Sequence, residues 1–490
     1  MDPEDRRFMT PATTKPRTLG ELKESGYQPR TIREEMRSNL IRMLESGEPM
    51  FPGIIGYDDT VIPKIENAVL AGHDVIFLGE RGQGKTRIIR ALTRLLDEEI
   101  PIVKGSEVND DPFAPISRFG LEMLARMDDD VEIDWVPSSQ RYTEKLATPD
   151  TSVAELIGEI DPIKVAEGRY LSDELTIHFG LIPRTNRGIF AINELPDLSE
   201  KVQVSLFNVL EERDLQVKGY KVQLPLDILV VATANPEDYT SRGRIITPLK
   251  DRYAAHINTH YPLTRELEMA IVDREIGQFE REREVVVPKF LQEIISEITF
   301  QARQSPDINQ VSGVSVRMSI SNMESLISNA EKRAIRHKAR EIAPRVTDLE
   351  AVLASTEGKL ELEYNGQNKS PEQIFQKLVQ KALKLVFEEY LDSEEMDGLV
   401  ASFRDGWWME VSDTIPVQQY IDNLPALKGM AESIAKLGIP ESEGATAAAM
   451  EFILEGLHLS NKLNKEVVDG SVIYNEAHKI QPLGRNTDLA

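Results

Sequence analysis

The eight residues Gly79-Glu80-Arg81-Gly82-Gln83-Gly84-Lys85-Thr86 carry the strongest chemical signal in the chain. They fit the phosphate-loop spacing, with four residues between Gly79 and Gly84 and Lys-Thr directly after. A phosphate cradle needs backbone N–H groups converging on oxygen atoms, and glycine lets the chain wrap closely enough. Gly79, Gly82 and Gly84 supply that freedom. Lys85 brings a point charge to the β/γ-phosphates, and Thr86 brings a hydroxyl to Mg²⁺. The ligand this pattern calls for is ATP with Mg²⁺.

Hydrolysis needs more than a cradle. A second apolar run, Gly188–Ile192, ends in Asn193-Glu194. Hydrolytic P-loop proteins usually present Asp-Glu there. Asn193 keeps an oxygen acceptor for the metal shell but loses the charge. Glu194 is placed to orient or deprotonate the attacking water. A third run, Leu226–Ala232, leads to Asn235-Pro236, and Asn235 is the candidate to sense the γ-phosphate or the water. Its plain alternative is a turn-forming Asn before Pro. Arg252, after Thr247-Pro248-Leu249-Lys250-Asp251, could cross a subunit boundary as an arginine finger. A surface ion pair is its plain alternative, and Arg242 and Arg244 compete for the role. Arg317, at a helix start after Gly313-Val314-Ser315-Val316, could reach the nucleotide from a lid, or simply be solvated.

Positioning these residues takes a particular framework. His73–Leu78 reads as a buried strand before the loop, and Arg87–Leu96 as a helix with Ile88, Ile89, Leu92 and Leu96 spaced along it. Strands alternating with helices predict an α/β fold with a parallel sheet sandwiched by helices. The divisions expected are an N-terminal arm or helix over 1–48, a nucleotide-binding α/β domain over 49–263, a helical lid over 264–360 and a mostly helical C-terminal extension over 361–490. Ser370-Pro371-Glu372-Gln373 reads as a helix start in that extension.

These motifs, in this order, resemble the AAA+ ATPases, and most nearly the ATPase (I) subunit of magnesium chelatase and its MoxR-type relatives. The resemblance covers about residues 50 to 355. It implies that Gly79–Thr86 is Walker A, Asn193/Glu194 Walker B, Asn235 sensor 1, Arg252 the arginine finger and Arg317 sensor 2. Gly168–Leu171 through His178–Ile182 looks like the helix-2 insert. Leu215–Val222, alternating around Gly219, looks like the pre-sensor-1 hairpin. The resemblance further implies a ring of like subunits, a hexamer, with ATP at subunit boundaries. It implies a remodelled partner protein, either a chelatase-like subunit or a von Willebrand A-domain protein.

Bulk composition narrows the alternatives. The 490 residues carry a formal net charge of −25, which disfavours broad nucleic-acid binding because that needs Lys and Arg at phosphates. There is no cysteine, so disulfides, thiolate metal sites and cysteine nucleophiles are excluded. No apolar run approaches 18 residues, and the first residues lack a secretory core, so no membrane span and a cytoplasmic location are expected. His256 and His260 sit four apart but in a strand-like stretch, which argues against a metal pair. The acidic run from Glu388 to Asp397 reads as a solvated helix end, and Trp407-Trp408 as core or interface. Two other functions stay open. One is a scaffold that binds ATP and hardly hydrolyses it, motivated by Asn193. The other, less favoured, is a nucleic-acid-associated ATPase.

Overall fold

The computed structural model describes residues 15–161, 163, 174–217, 220–222, 224–235, 244–277, 279–310, 312–363, 370–468 and 470–476. The chain divides into two compact units: Met1–Glu80 with Gly84–Thr259, and Arg81–Gln83 with His260–Ala490.

The first unit is built on five strands: β1 (Val75–Leu78), β2 (Tyr142–Leu146), β3 (Gly188–Asn193), β4 (Ile228–Ala234) and β5 (Ala255–Asn258). They lie in the order β5-β1-β4-β3-β2, all parallel. β3 and β4 are buried along their whole length. A parallel sheet covered on both faces calls for such unbroken apolar runs. In sheets of this kind ligands gather beyond the carboxyl ends of the strands. Here the neighbours β1, β4 and β3 end in Gly79, Asn235 and Asn193-Glu194.

Four helices matter for that site: α1 (Ile32–Ser46), α2 (Ile62–Leu70), α3 (Lys85–Ala91) and α4 (Glu200–Leu210). The helix expected over Arg87–Leu96 is shorter, because α3 gives way to a 3₁₀ turn at Leu92–Leu95. α1 starts with a capping box, the Thr31 hydroxyl accepting from Glu34 N–H and Glu34 accepting from Thr31 N–H. Its Ile32, Met36, Leu40 and Met43 join the core of β1, α2 and α3. The helix therefore packs into the α/β unit. A buried ion pair fixes it to the start of β2: Arg141 Nη1 and Nη2 meet Glu35 Oε1 and Oε2 at 2.7 and 2.6 Å.

β2 was not foreseen. Its sequence Tyr-Thr-Glu-Lys-Leu has no buried residue, as suits the outer strand of the sheet. At the stretch expected to be the helix-2 insert, Ile177–Phe179 pairs antiparallel with the preceding Gly158–Ile160; Gly168–Leu171 lie outside the described residues. Leu215–Val217 pairs antiparallel with Tyr220–Val222, and the Lys218-Gly219 tip likewise lies outside them.

The second unit is largely helical. Its longer helices include α5 (Arg265–Glu275), α6 (Lys289–Gln304), α7 (Arg317–His337), α8 (Pro371–Tyr390) and α9 (Glu443–Leu459). One apolar core runs through all five. Phe452 stacks on Phe290 at 4.4 Å and meets Phe387 edge-on at 5.8 Å. Gly456 makes that packing possible, since a Cβ there would lie 2.0 Å from the Phe387 ring. Thr347 N–H and hydroxyl both donate to the buried Glu451 of α9. The C-terminal region also holds a three-stranded antiparallel sheet that the sequence reading missed. It comprises Met409–Val411, Leu463–Val468 and Ser471–Glu476. Trp407 is partly buried against the core, while Trp408 is exposed.

Candidate nucleotide site

The loop after β1 is shaped by its backbone geometry. Gly79 N–H donates to Ala234 O at 3.2 Å, tying the loop to the end of β4. Gly82 and Gly84 have φ of +77° and +74°. Side chains with a Cβ pay roughly 1–2 kcal/mol in that region, so glycine is the residue these turns require.

Lys85 is the first residue of α3 and is 7% exposed. Its ammonium donates to Gly79 O, to Glu80 O at 2.9 Å and to Asn235 Oδ1 at 2.8 Å. A buried ammonium is tolerated because its three donors are met. Asn235 then passes the link on: its Nδ2 donates to Glu194 Oε2 at 3.1 Å. Glu194 stands in the left-handed region, φ 55° and ψ 49°. That conformation is costly for a non-glycine residue and tends to persist at functional sites. It is stabilised by Glu194 N–H donating to Thr233 Oγ1 at 3.0 Å.

Asn193, also 7% exposed, lies at the tip of β3. Its Nδ2 donates to Glu144 Oε1 at 2.5 Å, and its Oδ1 accepts from Thr233 Oγ1 at 3.4 Å. Glu144 belongs to β2 and receives Arg90 Nε at 2.7 Å, Arg90 Nη2 at 3.1 Å and the Tyr142 hydroxyl at 2.9 Å. Burial alone would raise the Glu144 carboxyl. Hydrogen bonds from Arg90, Tyr142 and Asn193, with the Arg90 charge, hold it below the usual range instead. Burial and the neighbouring Glu144 push the Tyr142 hydroxyl well up, so it stays a donor.

Thr86 is half-buried on the first turn of α3. The Thr86 hydroxyl and Asn193 Oδ1 are oxygen donors, the kind a hard cation such as Mg²⁺ takes. The fit rests on the Asn193 amide being held with its nitrogen on Glu144, which leaves its oxygen on the other side.

The candidate residues are therefore placed as follows. Lys85, Asn235, Glu194 and Asn193 come together at adjoining strand ends. Gly79, Glu80, Gly84 and Thr86 surround Lys85 in sequence, and Glu80 O is one of its acceptors. In the loop tip, Gln83 is buried and Arg81 is exposed. Arg252 closes the short helix Thr247–Arg252, and its guanidinium is already engaged. It pairs with Glu211 at the end of α4, donates to Pro248 O at 2.8 Å and lies 4.5 Å over the Phe207 ring. Arg244 is exposed, and Arg242 lies outside the described residues. Arg317 opens α7 in the second unit, exposed, with its N–H on Ser315 Oγ at 3.1 Å. Glu144, Arg90 and Thr233 were missed. Thr233 had a signal, being a hydroxyl between the apolar run Leu226–Ala232 and Asn235. Among the described residues no helix is long and apolar enough to cross a membrane.

Comparison with known proteins gives the site its context. The family description "AAA domain (dynein-related subfamily)" matches residues 125–253. The chain is 27% identical over 247 residues to the chloroplastic magnesium-chelatase subunit ChlI of Glycine max, covering 48% of this chain and 54% of that one. It is 26% identical over 237 residues to the magnesium-chelatase 38 kDa subunit of Rhodobacter capsulatus, covering 46% and 61%. The chain thus spans little more than half the length of these curated relatives. Among solved structures it is similar to a reconstruction of the complex between subunits BchI and BchD of magnesium chelatase, at 17% identity and a TM-score of 0.31, covering 71% of this chain and 97% of that one. With its AAA-domain match, its relatives and its five-stranded parallel sheet, the chain resembles the AAA+ ATPases, and among them the I subunit of magnesium chelatase.

Proposed function

We propose that the protein binds ATP with Mg²⁺ at the Gly79–Thr86 loop and hydrolyses it to remodel a partner protein. The observation that carries this reading is the unbroken chain from Lys85 through Asn235 to Glu194. It links a phosphate-binding cation to a candidate base through one amide.

In this reading an incoming phosphate takes the Lys85 ammonium from its carbonyl partners. Thr86 and Asn193 hold Mg²⁺, which neutralises phosphate charge when bound. Glu194 accepts a proton from the attacking water, and Asn235 fixes the carboxylate that does so. Arg252 leaves Glu211 to stabilise transition-state charge on a neighbouring subunit's nucleotide. Arg317 links the helical lid, residues 264–360, to the nucleotide. The Arg252 role requires a ring, for which a hexamer is the family pattern. The relatives are named as chelatase subunits, which suggests that this chain also works beside another subunit, chelatase-like or bearing a von Willebrand A domain. A MoxR-like, chaperone-type role in the cytoplasm fits the same reading. The charge of −25 speaks against nucleic acid as the partner.

A second reading has its own observation. Asn193 stands where a charged Asp would serve, so a nucleotide-dependent scaffold with little turnover is the alternative. Phosphate release by purified, assembled protein separates the two. The motor reading expects wild type to exceed Glu194→Gln clearly. Equal release by both leaves only the scaffold.

A further inference from the structure

We infer that Glu144 is a positioning residue that compensates for Asn193 by fixing which end of its amide faces the metal. The inference rests on the nucleotide reading above. An Asp at this place could present either oxygen. An Asn can present an oxygen or an NH₂ group, and only the oxygen suits Mg²⁺ or its waters. Something must therefore select the orientation.

Glu144 does so by accepting from Asn193 Nδ2 at 2.5 Å. The reversed amide would bring two acceptor oxygens into contact, so the carboxylate excludes it. The Asn193 oxygen is left on the side of Thr233, whose hydroxyl lies 3.4 Å away. Glu144 is itself immobilised. Arg90 grips it with two nitrogens and Tyr142 adds a third donor. Arg90 sits one helical turn after Thr86, the other candidate metal-holding residue. The same α3 thus carries Thr86 and anchors the group that orients Asn193. Strand pairing adds precision, because Glu144 lies opposite Ala191, two residues before Asn193 and on the same face of β3. Its carboxylate also lends the neighbouring amide some of the negative field that an Asp would have supplied directly.

The test measures Mn²⁺ affinity by EPR on the full chain with a non-hydrolysable ATP analogue bound. Analogue binding without metal is measured first. Glu144→Met removes the acceptor and should weaken Mn²⁺ about tenfold. Glu144→Gln keeps an acceptor oxygen and should fall between the two. Asn193→Asp alone sets two carboxylates against each other. Combined with Glu144→Met it should bind Mn²⁺ at least as well as wild type, since Asp needs no orienting. If Glu144→Met does not fold, the comparison moves to Asn193→Asp with and without Glu144→Gln, where the double variant must bind Mn²⁺ more tightly. Unchanged Mn²⁺ affinity in Glu144→Met, or equal affinity of Asn193→Asp in both backgrounds, overturns the inference while leaving the nucleotide reading intact. A wild type that does not bind the analogue at all overturns both.

Discussion

Replacing Asn235 with Ala should separate binding from chemistry. The side chain makes two hydrogen bonds, both to charged groups: it accepts from Lys85 at 2.8 Å and donates to Glu194 at 3.1 Å. The two have opposite consequences. Nucleotide must compete with the Lys85 bond, so its loss should leave ATP affinity unchanged or slightly higher. In the proposed mechanism the Glu194 bond holds the base during attack. Hydrogen bonds to charged groups contribute about 1.5–3 kcal/mol. Losing one in the transition state lowers turnover roughly 10- to 150-fold, at 1.36 kcal/mol per factor of ten. Titration with a fluorescent ATP analogue gives the affinity, and single-turnover phosphate release at saturating ATP gives the rate. Unchanged turnover would refute the link between Asn235 and the base. So would a collapse in affinity with turnover intact.

Three further predictions follow from other parts of the fold. Arg141→Ala strands the buried Glu35 carboxylate and should cost about 3–5 kcal/mol, visible as a lower denaturant midpoint for the first unit; an unchanged midpoint would show the pair to be dispensable. Asp227 accepts from Ile32 N–H at the start of α1, and burial raises its carboxyl above the usual Asp value. A raised folded pKa gives stability that is full at low pH and declines as pH climbs through the Asp range to the folded value. Asp227→Asn should therefore flatten stability against pH over that window, and a parallel curve would contradict the assignment. Arg252→Ala should stop hydrolysis without weakening ATP binding, and mixing it with Glu194→Gln subunits should restore activity, because mixed boundaries pair an intact Arg252 with an intact Glu194. Failure of the mixture to recover argues that Arg252 acts only through Glu211.

How much of this was legible in the sequence depended on burial. β1, β3 and β4 announce themselves as apolar runs because both faces are covered, and their last residues mark the site. The glycine loop was readable because its chemistry admits few substitutes. β2 was not readable, since an outer strand spelled Tyr-Thr-Glu-Lys-Leu has no periodic apolar signal. With β2 went Glu144, whose significance lies in being next to Asn193 in space and 49 residues away in sequence. The C-terminal hairpin did carry a cue. Asp469-Gly470 separates Val468 from Ser471, which pair in the sheet, and Asp-Gly is a strong two-residue hairpin signal. The polar Lys465-Glu466 beside it obscured the strand. The partners of Arg252 could not be foreseen either, because Glu211 and Phe207 reach it only through packing of α4.

Everything proposed for this site requires that the loop bind ATP through the buried Lys85. Calorimetric titration of wild type and Lys85→Ala with ATP and Mg²⁺ tests it most directly. Wild type should show saturable one-site binding, and the variant a loss of at least about tenfold, from one charge-assisted contact. Equal affinity in the two proteins, or no binding by wild type, would contradict it.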